Sequence, residues 1–393
     1  MIAPLQGYKV IELATMITGP LAGMMLGDLG AEVIKVERPG GDPFRHFEGS
    51  SFSPHFVAFN RNKRSVVLDL TETKDRDKLL ALLVDADAFI ENLRSGTLRR
   101  LGFTDASLRR RFPRLIHCSI TGFGNNGPYR NRPAYDTIGQ ALSGIASLAV
   151  LPHEPRFTGT TISDNATGMY AAYAILAALL ERGRTGRGRK IDINMLEVSV
   201  AFIQDAFMNL QMLGLRNDAF TRVSFSQVFV CRCRDGQLLA LHLSSPAKFW
   251  LNLLKAIDRS ELGKDERFAT RERRIANYAA LSDDLQKSFV LRTRQEWIER
   301  LTAVDVPVAP ILKSDEVMAD AQVRSLGCFR PMELPTGATV QAVQAPLLID
   351  GQRLSTWRGP PLLGEKNAGQ LSEAGFAARS PSDGGLSGLG HND

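Results

Sequence analysis

The chain has 393 residues, of which 44% are hydrophobic and 23% are charged, and its net charge is +6. This composition is that of a globular protein long enough for about two domains, and it excludes a chain that is mainly disordered. The positive excess is modest and spread along the chain. Small anionic ligands fit it better than nucleic acid, which requires a concentrated basic surface.

The first half of the chain alternates β-rich runs with helical segments. Strands are predicted at 8–13, 31–37, 65–70, 88–91, 115–120 and 190–194, and helices at 19–29, 75–83, 107–111, 165–182 and 196–212. Such alternation predicts an α/β fold with a mostly parallel sheet that is covered on both faces.

The middle of the chain has a different pattern. Strands near 227–232 and 237–242 are followed by charged helices up to residue 303 and by an extended segment at 306–310. This pattern predicts a separate α+β unit. The tail from residue 377, rich in Gly and Ser, is predicted to be disordered.

The sequence gives little support for a membrane-spanning segment, a metal site or a dinucleotide-binding site. The apolar run 169–180 is too short to span a bilayer, and no secretory pattern opens the chain, so we expect a cytoplasmic protein without a membrane partner. The four cysteines, with Cys231 and Cys233 at the wrong spacing for zinc, predict buried thiols and no metal. The first turn, 14–20, has no GxGxxG motif, so a dinucleotide cofactor loses its main support in the sequence.

Two features suggest anion binding, although each also has an ordinary structural interpretation. The helix beginning near Gly19 presents free N–H groups at its N-terminus, but an ordinary capped helix explains it equally well. Basic residues cluster near predicted strand ends, where open α/β sheets bind ligands, although most charged residues are simply solvated. These residues are Arg38, Arg45, Arg61, Lys63, Arg64, Arg94, Arg99 and Arg100.

Asp164 stands among small residues, between Gly159 and Gly168, directly before a predicted helix. A carboxylate there is expected to be ionised at neutral pH and able to attack an acyl carbon. Asp is also a favoured N-cap, and the residues alone favour this second interpretation. Because the chain has neither HExxH nor GxSxG, any catalysis is expected to use a group that is already charged.

The chain resembles the class III coenzyme A (CoA) transferases, a family that includes formyl-CoA transferase, carnitine CoA-transferase and α-methylacyl-CoA racemase. The resemblance extends over residues 5–376. The motifs that carry it are Val10-Ile-Glu-Leu13, Gly19-Pro20, Gly30-Ala-Glu-Val-Ile-Lys-Val-Glu-Arg38, Asn60-Arg-Asn-Lys-Arg-Ser65, Leu68-Asp-Leu70, Glu91-Asn-Leu-Arg-Ser-Gly96, Tyr135-Asp136, Ser143-Gly144, Asp164, Gly168 and Arg184-Thr-Gly-Arg-Gly188.

The resemblance implies a fold and an assembly. It predicts a large Rossmann-like domain built from both chain ends, 1–221 and 311–376, and a small middle domain, 222–310, with a disordered tail at 377–393. Two such chains are expected to form an interlocked homodimer. In one motif the chain departs from the family, since Asn62 stands where relatives commonly carry Gly.

The resemblance also assigns site residues. Asp164 falls on the catalytic aspartate, which reverses the preference for an N-cap, and Tyr135 and Asp136 fall beside the acyl site. The predicted CoA-binding residues are Ile17, Thr18, Arg38, Leu68, Thr71, Asn92, Leu93 and Arg100. The substrates are then acyl-CoA thioesters and carboxylic acids, with no permanently bound cofactor, and succinyl-CoA is a donor suggested by the family.

The implied reaction is CoA transfer through an aspartyl anhydride and an aspartyl-CoA thioester. The alternative on the same fold is 2-methylacyl-CoA racemisation, which moves a proton across the α-carbon. That branch has a histidine where this chain has Tyr135, and a tyrosine with a pKa near roughly 10 is a poor base. A non-enzymatic CoA-binding or regulatory protein is a third hypothesis. Arg222, Ser224 and Gln227 are candidates for holding the acceptor carboxylate.

Overall fold

The computed structural model describes residues 2–49, 52–151 and 153–366, so the predicted disordered tail lies outside the described residues. The chain forms two compact units. The first is formed by the described residues of Met1–Pro133, Thr167–Asn194 and Pro331–Asp393, and the second by those of Ala134–Ala166 and Met195–Arg330. The predicted domains divide the chain at other residues. They remain a prediction, because compactness alone does not show which segments fold independently.

The strands are short, as is usual for an α/β protein. They are β1 Lys9–Leu13, β2 Glu32–Glu37, β3 Lys63–Val67, β4 Ala88–Glu91, β5 Ile116–Thr121, β6 Lys190–Asn194, β7 Val228–Arg232, β8 Leu238–His242, β9 Val308–Pro310, β10 Phe329–Glu333, β11 Thr339–Val343, β12 Leu348–Ile349 and β13 Gln352–Arg353.

The helices occur between the strands in the first half and dominate the middle. They are α1 Thr18–Asp28, α2 Pro54–Phe59, α3 Thr73–Val84, α4 Thr97–Arg100, α5 Asp105–Arg111, α6 Asp136–Ser143, α7 Ile162–Thr185, α8 Met195–Phe202, α9 Gln204–Leu213, α10 Thr221–Phe225, α11 Ala247–Ala256, α12 Arg271–Ala276, α13 Tyr278–Phe289, α14 Arg294–Thr302, α15 Ser314–Ala319 and α16 Ala321–Ser325.

A six-stranded sheet in the order β3-β2-β1-β4-β5-β6 forms the core of the first unit. Each neighbouring pair in it is parallel. This is the doubly wound order of the Rossmann fold, in which the strand sequence reverses between β1 and β4. The predicted α/β fold with a parallel sheet is confirmed.

Both faces of this sheet are buried, because successive residues of a strand point to opposite sides. Val10 and Val33 pack with Leu26 of α1 and Ile175 of α7 in one apolar cluster. Their neighbours Ile11 and Ile34 pack with Leu79 of α3 and Leu108 of α5 in the other. Any charged residue within these strands therefore requires a partner inside the protein.

The second unit contains a smaller antiparallel sheet, β7-β8-β9, and several helices. Its apolar core gathers Phe229 and Leu241 from the sheet with Trp250, Phe289 and Trp297 from the helices. The strands predicted near 227–232 and 237–242 are confirmed.

The prediction of one long helix over 196–212 is wrong. The segment is divided into α8 and α9 at Ile203, whose φ of −119° and ψ of 41° are not helical. No Gly or Pro marks this break in the sequence, so the local pattern did not reveal it. Within the described residues, no helix is long and apolar enough to cross a bilayer.

Candidate active site

The carboxyl ends of β1 and β4 lie side by side at the point where the strand order reverses, which is where doubly wound sheets bind ligands. Asn92, directly after β4, joins the two ends. Its Oδ1 accepts the Thr15 N–H at 3.0 Å, and its Nδ2 donates to Thr15 O at 2.8 Å and to Thr18 Oγ1 at 3.1 Å. Asn92 therefore fixes the loop that connects β1 to α1.

The eight predicted CoA-binding residues follow the carboxyl ends of four adjacent strands. Ile17 and Thr18 follow β1, Arg38 follows β2, Leu68 and Thr71 follow β3, and Asn92, Leu93 and Arg100 follow β4. Ile17, Thr18 and Leu68 are buried, Asn92 and Leu93 are half-buried, and Arg38, Thr71 and Arg100 are exposed. The parallel sheet thus brings them to one edge, and their role in CoA binding remains a prediction.

Three of the basic residues that the sequence suggested for anion binding are instead buried in ion pairs. Arg45 donates two hydrogen bonds to Glu37, both at 2.7 Å, and Arg61 donates to Asp28. Lys63 contacts Glu12. Carboxylates balance the charges of these three residues inside the protein. The side chains that remain exposed are Arg38, Arg94, Arg99 and Arg100.

The ion pair of Lys63 belongs to a buried charge cluster formed by Glu12, Lys35, Asp42 and Lys63. Each of these side chains is no more than 1% exposed. Lys35 Nζ lies 2.9 Å from both Glu12 Oε1 and Asp42 Oδ2, and Lys63 Nζ lies 2.8 Å from Glu12 Oε2. Gly23 of α1 faces the cluster, and a Cβ there would overlap Glu12 Oε2.

The two lysines of the cluster have opposite pKa shifts. Burial lowers the pKa of Lys63 to about 8, although the Glu12 carboxylate opposes the shift. Burial also disfavours the charged form of Lys35, but Glu12, Asp42 and Glu37 together raise its pKa above the ordinary value. The sequence pattern did not lead us to predict this cluster. Its signal was present as charged residues inside strands predicted to be buried on both faces.

Asp164 lies in the second unit, at the third residue of α7. Its backbone N–H donates to Asp136 Oδ1 at 3.1 Å. The hydroxyls of Ser163 and Ser199 of α8 are 2.7 Å apart, and Asn165 Nδ2 donates to Thr161 Oγ1 at 2.9 Å. The first turn of α7 is thus fixed on both sides of Asp164.

The N-cap interpretation of Asp164 is wrong, because the helix begins at Ile162, two residues before Asp164. Among the described residues, no hydrogen bond donor contacts the Asp164 carboxylate. Burial, and then the negative charge of Asp136, raise its pKa to about 7. A half-buried carboxylate lacks the water that stabilises its charge, so a smaller share of Asp164 is ionised at neutral pH than an exposed aspartate would have.

Asp136 is the first residue of α6 and is buried. Its second oxygen accepts a hydrogen bond from Gln140 Nε2 at 2.6 Å, and the same Nε2 donates to Thr160 O at 3.1 Å. Gln140 was not predicted as a site residue, and only its spacing of one helical turn from Asp136 could have indicated it. Tyr135 precedes α6 with its side chain 57% exposed.

The three residues suggested for the acceptor carboxylate have different surroundings. Gln227 is 2% exposed. Its side-chain amide donates a hydrogen bond to Ser244 O and accepts one from Arg274 Nε. Ser224 donates to Thr221 O within α10. Arg222 is the exposed member of the three. Because Gln227 and Ser224 are engaged within the second unit, only Arg222 remains a candidate for binding the acceptor.

Comparison with known proteins assigns the chain to a family. The profile of CoA-transferase family III matches residues 5–367. A succinate–glutarate CoA-transferase of Agrobacterium fabrum is 34% identical over 94% of this chain and 95% of the relative. An acetyl-CoA:oxalate CoA-transferase of Acetobacter aceti is also 34% identical, over 95% of this chain and 96% of the relative.

Comparison with solved structures gives the same result as comparison of the sequences. The crystal structure of a CAIB/BAIF family protein from Brucella suis superimposes with a TM-score of 0.83 at 34% identity, covering 95% of this chain and all of that chain. The chain therefore belongs to CoA-transferase family III, and it is a transferase enzyme. The non-enzymatic alternative is excluded, and racemisation is not favoured.

Proposed function

We propose that the protein moves CoA from an acyl-CoA donor to a carboxylic acid acceptor with Asp164 as the nucleophile. The observation that carries this proposal is the Asp164 carboxylate itself. Its backbone is fixed at the start of α7, while its oxygens are left without hydrogen bonds among the described residues. A carboxylate that is poorly solvated is more nucleophilic than one in water, provided that it is ionised.

The reaction proceeds in two exchanges. The Asp164 carboxylate attacks the thioester carbon, which forms a mixed anhydride and releases CoA thiolate. The thiolate then attacks the aspartyl carbonyl, which forms an aspartyl-CoA thioester and releases the donor acid. The acceptor carboxylate attacks this thioester, and the released thiolate attacks the acceptor carbonyl. Acceptor-CoA leaves and the Asp164 carboxylate is regenerated, without a further energy source.

We propose that the residues following β1 to β4 bind CoA. Arg38 and Arg100 are exposed and carry the positive charge suited to phosphate groups. Ile17, Leu68 and Leu93 are apolar residues that follow strands at the same edge of the sheet. Thr18, Thr71 and Asn92 offer hydrogen bonds, and Tyr135 and Asp136 are assigned to the acyl group.

Succinyl-CoA is the donor we propose, with a dicarboxylic acid as acceptor. The succinate–glutarate and acetyl-CoA:oxalate relatives are equally identical to this chain, so overall identity does not choose between their acceptors. A panel that contains glutarate, oxalate and monocarboxylic acids, with CoA esters detected by mass, identifies the acceptor.

Turnover with an acceptor whose carboxylate carries heavy oxygen tests the nucleophile directly. In the proposed sequence one labelled oxygen stays on Asp164 when the thiolate attacks the acceptor carbonyl. The peptide containing Asp164 is therefore expected to gain one heavy oxygen atom in a single turnover, and up to two in repeated turnovers, measured by mass spectrometry after proteolysis. Direct attack of the acceptor on the donor thioester would leave every enzyme carboxylate unlabelled and would overturn the proposal.

The pH dependence of kcat/KM is expected to follow the ionisation of Asp164, which the charge of Asp136 influences. Because the pKa of Asp164 is about 7 and the nucleophile must be ionised, kcat/KM should rise with pH through about 7. At pH 6 it should be roughly one tenth of its plateau. Asp136→Asn removes the negative neighbour, so the rise should move to lower pH. It should stay above the usual aspartate range because burial is unchanged.

Glu154→Gln, which removes an exposed carboxylate of the same unit, is the control for this shift. It should leave the profile in place. A profile of Asp136→Asn that coincides with that of the unaltered protein would show that the charge of Asp136 does not act on Asp164.

We also propose that the chain forms a homodimer. Helix α9 has no buried residue, and Met212 and Leu213 are 78% and 69% exposed. An apolar helix side of this kind is normally covered by a partner, and a second copy of the same chain is the commonest one. Light scattering should give twice the mass of the chain, and Leu213→Glu should shift it towards monomer. A monomeric unaltered protein at micromolar concentration would contradict this.

A further inference from the structure

The loop between β1 and α1 is held in an unfavourable backbone conformation. Met16 has φ of +66°, a left-handed value that side chains other than Gly and Asn rarely adopt. The loop carries Ile17 and leads directly into Thr18 at the start of α1, and both residues are proposed to bind CoA. A strained residue persists only when the surrounding structure holds it, so the contacts of this loop must stabilise its conformation.

Side chains that are buried or half-buried hold the backbone at four points, three of them consecutive (14–16) and the fourth at residue 20. Lys35 Nζ donates to Ala14 O at 2.7 Å, and Asn92 pairs with Thr15. The Met16 N–H donates to both carboxylate oxygens of Asp42, each at 3.3 Å. Lys63 Nζ donates to Pro20 O at 2.8 Å, at the beginning of α1.

We propose that Asp42 is a positioning residue for coenzyme A, acting through the backbone of Met16. Its carboxylate accepts the Met16 N–H, accepts the Phe44 N–H at 2.9 Å and pairs with Lys35. Through these contacts Asp42, a member of the buried charge cluster, connects that cluster to the left-handed backbone at Met16. The loop is kept in one shape before the ligand arrives, so CoA binding does not have to order it.

The charge of Asp42 is central to this role. Among the described residues, the groups facing it are Lys35, which also pairs with Glu12, and the backbone N–H groups of Met16 and Phe44. Its own N–H donates to Glu37 Oε2 at 2.9 Å, which ties it to the Glu37–Arg45 pair. An asparagine has the same shape but half the acceptor capacity and no charge opposite Lys35.

Asp42→Asn is therefore expected to loosen the loop without touching the reacting atoms. Amide hydrogen exchange in the peptide that contains Met16 should become faster in the free protein. The Kd for free CoA, measured by calorimetry, and the KM for the acyl-CoA donor should both rise about ten-fold, which corresponds to about 1.4 kcal/mol. The kcat should stay within about two-fold, because Asp42 acts on ligand binding alone.

Asp28→Asn is the matched control. Asp28 is also buried, at 4% exposed, and its carboxylate pairs with Arg61 and accepts a hydrogen bond from Asn62. Within the part of the chain that the structure describes, it makes no hydrogen bond or ion pair with the loop. A general loss of stability would affect both variants alike. Only Asp42→Asn should raise the Kd for CoA and accelerate exchange at Met16.

If Asp42→Asn does not fold, Lys35→Met with Asp42→Asn removes one charge of each sign and leaves Glu12 paired with Lys63. The same changes in exchange and Kd are expected. Unchanged exchange at Met16 together with an unchanged Kd would overturn the inference. The inference depends on the proposed function only because it assumes that this loop binds CoA. A protein that lacks transferase activity but shows the exchange difference would refute the function and leave the role of Asp42 in the loop intact.

Discussion

Replacing Asp164 by alanine is expected to lower kcat for CoA transfer by about 10⁴-fold or more, because the group that carries both covalent intermediates is lost. Binding of free CoA should be retained, since the residues proposed to bind it follow the strands of the sheet and do not include Asp164. Steady-state kinetics with succinyl-CoA, together with calorimetry of CoA binding, measure the two effects separately.

Ser163→Ala is the control for disturbance of the first turn of α7. It removes the hydroxyl contact with Ser199 next to Asp164 and leaves the carboxylate in place. Its effect on kcat should be much smaller. Substantial transfer by Asp164→Ala, with heavy oxygen absent from the protein, would mean that the acceptor attacks the donor thioester directly.

Replacing Glu12 by glutamine is expected to destabilise the protein by about 3–5 kcal/mol, the usual cost of leaving a buried charge without its partner. Glu12 is fully buried and is the shared partner of Lys35 and Lys63. Without it, Lys63 loses its carboxylate partner within contact distance, while Lys35 keeps Asp42. Urea unfolding followed by circular dichroism measures this loss.

Glu32→Gln provides a matched comparison on an adjacent strand. Glu32 begins β2 and pairs with Arg64 at 3.6 Å, but both side chains are more than one third exposed. Exposed pairs contribute about 0–1 kcal/mol, so this variant should unfold close to the unaltered protein. Equal effects of the two substitutions would contradict a charge cluster that depends on burial.

Much of the fold could be predicted from local sequence patterns. Strands such as β4 and β6 were predicted at their observed residues, because a short apolar run in β4 and alternating polar and apolar residues in β6 both favour a strand. The break at Ile203 was missed, since no helix-breaking residue marks it. Asn62 shows how one departure from the family is tolerated. Its φ is +62°, and Asn is the residue that adopts this conformation most readily after Gly.

The charged residues in the strands were more difficult to interpret. From the sequence, Arg45, Arg61 and Lys63 appeared similar to Arg38 and Arg100. A basic side chain that pairs inside the protein and one that meets a ligand have the same chemistry. Only their burial and partners distinguish them, and these depend on residues far away in the chain, such as Glu12 for Lys63.

By itself the sequence determined the parallel α/β architecture, the family motifs and the position of Asp164 at the start of a helix. Periodicity and turn residues are local properties that suffice for the architecture and the helix, whereas the motifs point to the family through their resemblance to its members. Only the tertiary structure decided that Asp164 is half-buried beside Asp136 with a pKa near 7, and that Asp42 meets the strained backbone of Met16. Burial and long-range contact control desolvation and strain, and neither is encoded in any short segment of the chain.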